Sequence, residues 1–225
     1  MIIIFGGSSG IGKEIKDYFR FKGENIYSIS RSNPDSDNQH IYCDIKNYDS
    51  IKLAYKKINK LKQNVTALIN CAGISSMNLA LTTPPKVSEN IIQTNLLGTI
   101  FCNQIFAPLL IKNKGGRIIN FSTIAVKLGL KGESVYVASK SGVEGFSRVL
   151  SNELSSFNIT VNCIAPGPIR TNLIKNVSED QIKEIINNQI IKEEMGTNEV
   201  VKIVDLLLKD EASKITGQVL HVGGF

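Results

Sequence analysis

An α/β fold built on one doubly wound, parallel seven-stranded sheet with helices on both faces is predicted by three observations. Seven short apolar runs rich in β-branched residues recur along the chain, at 1–5, 26–30, 40–43, 65–70, 117–122, 159–165 and 218–222. Helical periodicity fills most of the intervals between them. A glycine-rich turn, Gly6-Gly7-Ser8-Ser9-Gly10-Ile11-Gly12, directly follows the first run. Runs apolar on both faces suit strands covered by helices on both sides, and strand alternating with helix gives right-handed βαβ units.

The elements follow in order. Residues 1–5 are apolar and stop at Gly6, and the periodic stretch 11–21 reads as a helix that ends at Gly23. The strand at 26–30 leads into a short polar loop, 31–39, and then the strand at 40–43. Ile51, Tyr55, Ile58 and Leu61 mark a helix by their spacing. The strand at 65–70 closes on Asn70-Cys71-Ala72-Gly73, a long helix is expected over about 88–111, and the strand at 117–122 closes on Phe121-Ser122-Thr123. A helix over about 134–156 precedes the strand at 159–165. Segment 171–196 leaves the pattern before the last strand and is long enough to serve as a substrate lid.

Bulk properties narrow the function. A length of 225 residues fits one domain spanning 1–225. With 42% hydrophobic and 20% charged residues the chain reads as soluble and globular, and no run approaches the roughly 20 apolar residues of a membrane span. Residues 1–5 lack a basic flank and a small-residue cleavage site, so no signal peptide is expected and the cytoplasm is the predicted location. The net charge of +6 comes from 26 basic residues scattered along the chain without interleaved aromatics, which argues against nucleic acid as a partner. Cys43, Cys71, Cys102 and Cys163 stand far apart, with only two histidines to assist, so buried reduced thiols and no metal are expected.

The glycine turn and one helix carry the chemistry. Gly6, Gly10 and Gly12 let the backbone turn sharply and let a phosphate approach the amino end of the next helix, where N–H groups and the dipole favour an anion. Tyr136 and Lys140, four apart on a helix, share one face. A cation held near a phenol favours the phenolate and fits the tyrosine for acid/base work.

In this order and spacing the chain resembles the short-chain dehydrogenase/reductase family, from Ile2 to Phe225. The resemblance implies a nicotinamide dinucleotide held by Gly6, Ser8, Ser9, Gly10, Ile11 and Gly12, its adenine by Asp44 and Ile45. Asn70, Ala72 and Gly73 stand in the place of the family's N-N-A-G, and Pro166, Gly167, Ile169 and Thr171 in that of the P-G segment beside the nicotinamide. Asn95, Thr123, Tyr136 and Lys140 correspond to the catalytic tetrad, with Lys140 lowering the Tyr136 pKa and Asn95 holding a water that links Lys140 to solvent. Phe5 replaces a threonine, Cys71 replaces the second asparagine, and one residue is missing before Gly223-Gly224. The family's serine falls on Thr123, with Ser122 one place earlier. Neighbours on a strand face opposite ways, so only one of the two can face the substrate, and the count from Tyr136 favours Thr123.

The end of the second strand reads Ser30-Arg31-Ser32, with no carboxylate before Asp35. A ribose 2′-phosphate calls for a cation there and a bare 2′-hydroxyl for an acid, so NADP(H) is expected over NAD(H), with Arg31 as the phosphate's partner. The implied reaction is reduction of a ketone to a secondary alcohol with Tyr136 as general acid. Within the family the chain is most similar to the 3-oxoacyl-(acyl-carrier-protein) reductase branch. An acyl carrier protein is thereby a candidate partner, although Phe157 stands where an arginine would help dock it. An apolar rim of Met77, Leu79, Val126, Leu128, Leu173 and Ile174 is expected. So is a homotetramer or homodimer built on the helices at 88–111 and 134–156, through Ile92, Leu96, Leu97, Ile100, Phe101, Ile105 and Phe106. The competing reading is a regulatory or scaffolding nucleotide-binding protein without turnover, a class that usually lacks the Tyr or the Lys kept here.

Overall fold

Seven parallel strands lie in the order β3-β2-β1-β4-β5-β6-β7. They are β1 (Ile2–Phe5), β2 (Ile26–Ser30), β3 (His40–Tyr42), β4 (Ala67–Asn70), β5 (Gly116–Phe121), β6 (Ile159–Ala165) and β7 (Val219–His221). This computed structural model describes residues 1–175 and 177–224; Asn176, inside the expected lid, and Phe225, the last residue of the family resemblance, lie outside the described residues. β1 pairs with β2 on one side and β4 on the other, so the chain winds outward in both directions from the middle. The carboxyl ends of β1 and β4 therefore diverge into a crevice, which is where ligands bind in such sheets.

The alternation of β1 builds both halves of the core. Ile3 and Phe5 face a cluster with Ile51, Ile58, Phe106 and Leu150, whereas Ile2 and Ile4 face Ile15, Phe19, Val200 and Val204. The first layer holds α2 (Tyr48–Lys60) and two long helical stretches; the second holds α1 (Gly10–Phe21) and a helix near the carboxyl end. Strand positions agree with the expected runs to within two residues at each end.

Three differences have physical causes. The helix expected over 88–111 begins at Pro85 and is not uniform: α3 (Pro85–Ile91) and α4 (Gly98–Lys112) are joined by a π-helical turn, Ile92–Leu97. Pro85 suits a helix start because its missing N–H has no partner to lose there. Contrary to the composition argument, the combined run Pro85–Lys112 is long and apolar enough to cross a membrane, yet 56% of its most apolar window is buried inside the fold. Segment 171–196 is not bare loop either, since α7 (Glu179–Asn187) starts inside it with a Ser178–Gln181 capping box. After α5 (Ala125–Leu128) and α6 (Ser134–Leu154), the last helix, α8 (Thr197–Leu208), buries Val200, Val201, Val204 and Leu207 on α1 and the sheet.

Phe106 is wholly buried and meets Phe5 and Tyr55 edge to face, at 5.1 and 5.6 Å between ring centroids. It is a core residue, which removes it from the set expected at an oligomer contact. Phe106→Ala is expected to cost about 3–5 kcal/mol of unfolding free energy, through lost burial and the cavity left behind. Urea denaturation followed by circular dichroism checks this.

Candidate active site

A cleft of about 550 Å³ opens beyond the carboxyl ends of the strands. Its floor is main chain. Gly6 has φ +86°, and a Cβ there would lie 2.7 Å from the Ala72 nitrogen; a Cβ at Gly12 would collide with the Gly6 carbonyl. Gly10 opens α1 at φ +53°, and Ser9 caps the helix without a side-chain hydrogen bond, so first-turn N–H groups keep their capacity for an anion. A pyrophosphate needs such a close, positively polarised approach, and the glycines fit that group.

The end of the cleft where the sequence leads one to expect the adenosine is set by charge. Arg31, Asp44 and Ile45 line the cleft, and among the described residues Arg31 has no ion-pair partner. The acids that follow it are drawn back onto α1: Asp35 lies 3.0 Å from Lys16 Nζ and 3.4 Å from Lys13 Nζ, and Asp37 lies 2.7 Å from Arg20 Nη2. Arg31 is thus presented without a competing carboxylate.

At the other end, α6 carries Tyr136 and Lys140 one turn apart on its inward face, 6% and 5% exposed. Lys140 Nζ donates to the Phe121 carbonyl at 2.8 Å, at the last residue of β5. Thr123 lines the cleft near enough to favour the ionised form of Tyr136, whereas Ser122 Oγ turns away and donates to the buried Glu144 Oε1 at 2.5 Å. The doublet therefore keeps a strand-like alternation past the end of β5. The P-G segment, with Pro166, Gly167, Ile169 and Thr171, completes the wall, and Ser8, Ile11, Ala72 and Gly73 also reach it.

Two expected site residues stand behind the wall instead. Asn95, on the π turn and fully buried, accepts from the Ile74 N–H at 2.9 Å and donates to the Ile74 carbonyl at 2.9 Å and to Ser139 Oγ at 3.1 Å. It pins the loop after β4 to α6. Asn70 donates to Asn120 Oδ1 at 2.7 Å, which also accepts from Asn103, while Asn120 donates to Ser147 Oγ at 2.8 Å. Its side chain belongs to a buried amide network joining β4, β5, α4 and α6, not to the cleft surface.

The electrostatics correct another expectation. Burial pushes the Tyr136 phenol well above its ordinary value, the Glu133 carboxylate adds to the rise, and the Thr123 hydroxyl opposes it. The depression expected from Lys140 is not what this structure shows, because burial dehydrates both groups. Burial lowers Lys140 from 10.5 to about 8. Among the described residues no cluster of potential metal ligands occurs, and the four cysteines are free; Cys71, expected to be buried, is half-buried and lines the cleft.

Of the expected rim, Met77, Leu173 and Ile174 line the cleft, whereas Leu79, Val126 and Leu128 do not. Leu130, Glu133, Ile182 and Ile185 were not anticipated. The two isoleucines belong to α7, within the segment 171–196, which Arg170 ties down. That guanidinium pairs with Glu179 at 2.7 Å, at the start of α7, and with Glu194 beyond its end.

A glycine-floored crevice beside a Tyr–Lys helix face defines a nicotinamide-nucleotide oxidoreductase of the doubly wound class. The short chain dehydrogenase family profile matches residues 1–182, and the chain belongs to that family. It is similar to the 3-oxoacyl-[acyl-carrier-protein] reductase FabG of Buchnera aphidicola subsp. Schizaphis graminum, at 34% identity over 99% of this chain and 95% of the relative. It is equally similar to carbonyl reductase family member 4 of Xenopus laevis, at 34% identity over 98% and 95%. Among solved structures, ElxO with NADP bound superposes with a TM-score of 0.87, at 26% identity over 98% of this chain and 96% of that one.

The buried Lys140 ammonium makes stability depend on pH. Between pH 8 and 10.5 the unfolded chain holds a proton that the folded chain has released, so wild-type stability rises with pH across that window. Lys140→Met is expected to be more stable than wild type at pH 7, by on the order of 1–3 kcal/mol, with the gap closing as pH rises toward 10. Denaturant titrations at a series of pH values measure both trends.

Proposed function

We propose that this chain is an NADP(H)-dependent carbonyl reductase that converts a ketone to a secondary alcohol. The observation that carries the reading is the meeting of Thr123, Tyr136 and Lys140 on one wall of a cleft whose floor is main chain. When bound, the nicotinamide supplies the hydride. Thr123 and Tyr136 hold the substrate carbonyl oxygen from one side, and the Tyr136 phenol gives its proton to the oxygen as negative charge develops there. Burial keeps that phenol protonated, as a general acid requires. Lys140, held by the Phe121 carbonyl, supplies positive charge beneath the phenol as the proton leaves. Asn95 positions rather than reacts, since its amide is engaged with Ile74 and Ser139.

Cofactor choice rests on Arg31, on the withdrawal of Asp35 and Asp37, and on likeness to a fold solved with NADP. The substrate reading extends to 3-oxoacyl thioesters because one relative bears that name, with an acyl carrier protein as the partner delivering them. Phe157, 41% exposed, offers that carrier no charge where an arginine would help dock it. Assembly as a homotetramer or dimer is supported by Leu97, exposed, and by Ile100, Phe101 and Ile105, only half-buried in the monomer, beside exposed Ala138 and Val149 on α6. The working location is the cytoplasm. Retention of both Tyr136 and Lys140 within one site favours turnover over a purely regulatory role.

Tyr136→Phe should lower kcat about 10²-fold or more while leaving cofactor affinity nearly intact, because it deletes the proton donor and little volume. Thr123→Ala should also lower kcat, Thr123→Ser should retain it, and Ser122→Ala should change it little. A ketone and aldehyde panel followed by NADPH absorbance tests this, and full activity of the phenylalanine variant would overturn the mechanism.

Arg31→Ala should raise the KM for NADPH roughly 10- to 100-fold, the value of a charge-assisted contact to phosphate, with the KM for NADH nearly unchanged. Equal effects on the two cofactors would remove the assignment of NADP(H).

A further inference from the structure

Among the described residues five charged side chains line the cleft: Arg31, Asp44, Glu133, Lys140 and Lys175. Arg31 and Asp44 belong to the adenosine end, Lys140 to the acid/base wall, and Lys175 to the lid. Glu133 has no part in the mechanism above.

Its position is strongly constrained. Glu133 is the N-cap of α6, three residues before Tyr136, and both side chains line the cleft. The chain reaches it through Gly129 and Gly132, at φ +60° and +89°, and the Gly132 carbonyl accepts from the Asn78 N–H at 2.8 Å. The Glu133 N–H donates to the Leu130 carbonyl at 3.2 Å, and its carbonyl accepts from Val137 at 2.7 Å. The backbone is fixed on both sides, so the carboxyl has a fixed origin in the cleft wall.

An N-cap side chain ordinarily satisfies the first turn of its helix, but Glu133 makes no side-chain cap bond. Among the described residues, no cation pairs with it, Lys175 included. Met77 and Leu130 lie beside this turn, and both line the same cleft. Half-burial raises its pKa, and its charge is felt at the Tyr136 phenol. A carboxylate left half-dehydrated without a donor is costly, and the cost falls away when a bound molecule supplies one.

We propose that Glu133 is a specificity-determining residue that selects ketones carrying a hydroxyl on the carbon next to the carbonyl, over plain alkyl ketones and over 2-oxo acids. This rests on the carbonyl-reductase reading and favours hydroxy ketones over the 3-oxoacyl thioesters as its substrates. Glu133 lines the same cleft one turn before Tyr136 and its charge acts on the phenol, so a carbonyl held by Tyr136 places its adjacent substituent within reach of Glu133. A hydroxyl there donates to the carboxylate, an ethyl group leaves the carboxylate dehydrated and unpaired, and a second carboxylate is repelled.

Three matched substrates isolate that substituent: 1-hydroxy-2-butanone, 3-pentanone and 2-oxobutyrate. Wild-type enzyme with NADPH should favour the hydroxy ketone over 3-pentanone in kcat/KM by on the order of 10- to 100-fold. Glu133→Leu should bring that ratio close to one. Glu133→Gln, which keeps an accepting oxygen and guards against a folding defect, should retain most of the preference while admitting 2-oxobutyrate. An unchanged ratio in a Leu variant with normal thermal stability would overturn the inference, as would a wild-type preference for 3-pentanone. Calorimetry of the three ketones on the Tyr136→Phe protein with NADPH, with and without Glu133→Leu, reads selectivity without turnover. Equal affinities there, or no binding of any of the three, also overturn it. Turnover of any of them by wild type supports the reductase reading whatever the ratio, so the two can fail separately.

Discussion

A positive charge carried into the interior on Lys140 sets the terms for the surrounding structure. The ammonium is almost fully buried and holds one main-chain carbonyl, that of Phe121. For that contact to exist, β5 must end at Phe121 and α6 must present one particular face to it. The same rotation of α6 brings Tyr136 against Thr123 and sends Glu144 to Ser122. Gly73 follows from it as well, because a Cβ there would come within 3.4 Å of both Lys140 Nζ and Asn95 Oδ1. Burying the cation costs stability, and the fold gains a preset wall of Thr123, Tyr136 and Lys140.

Buried amides hold that wall in register. Asn120 sits in the middle of β5 and ties β4 through Asn70, α4 through Asn103 and α6 through Ser147. Such a network specifies one arrangement of its members, because a shift of any element leaves polar atoms unpaired in a dry interior. Beside it, the Asn95 side chain serves two groups of one residue, Ile74, and so fixes the loop that closes the cleft. The π turn is the local backbone form that accommodates this inward asparagine, and such turns recur where helices carry function.

Local signals were legible in the sequence and non-local ones were not. The glycine turn, the Tyr136–Lys140 face and the strand runs are each set by spacing within a few residues, and the family, fold and parallel sheet followed from them. Thr123 reaches the cleft while Ser122 Oγ turns to Glu144 because alternation along a strand is itself local. The π turn was invisible, since it depends on Ile74, 21 residues away from Asn95. Asn70 read as a ligand contact because its motif borders the cleft, while its side chain answers to Asn120, 50 residues on. Helix α8 had a readable signal, a Val200, Val201, Val204 and Leu207 stripe preceded by Glu199, whose carboxylate accepts from the Gly196 N–H. Rim residues such as Leu79 and Val126 were misplaced because loop paths are decided by tertiary contacts.

Main chain as a floor has an evolutionary corollary. Substitution rewrites side chains and leaves the peptide repeat alone, so a concavity made of N–H groups and carbonyls survives drift that would erase a pocket built from side chains. Only the few positions where a methyl would fill the space, Gly6 and Gly12 foremost, are withheld from that freedom. Diversification is thereby channelled into the walls, where a single exchanged residue alters which molecule is welcomed without disturbing the common seat beneath it.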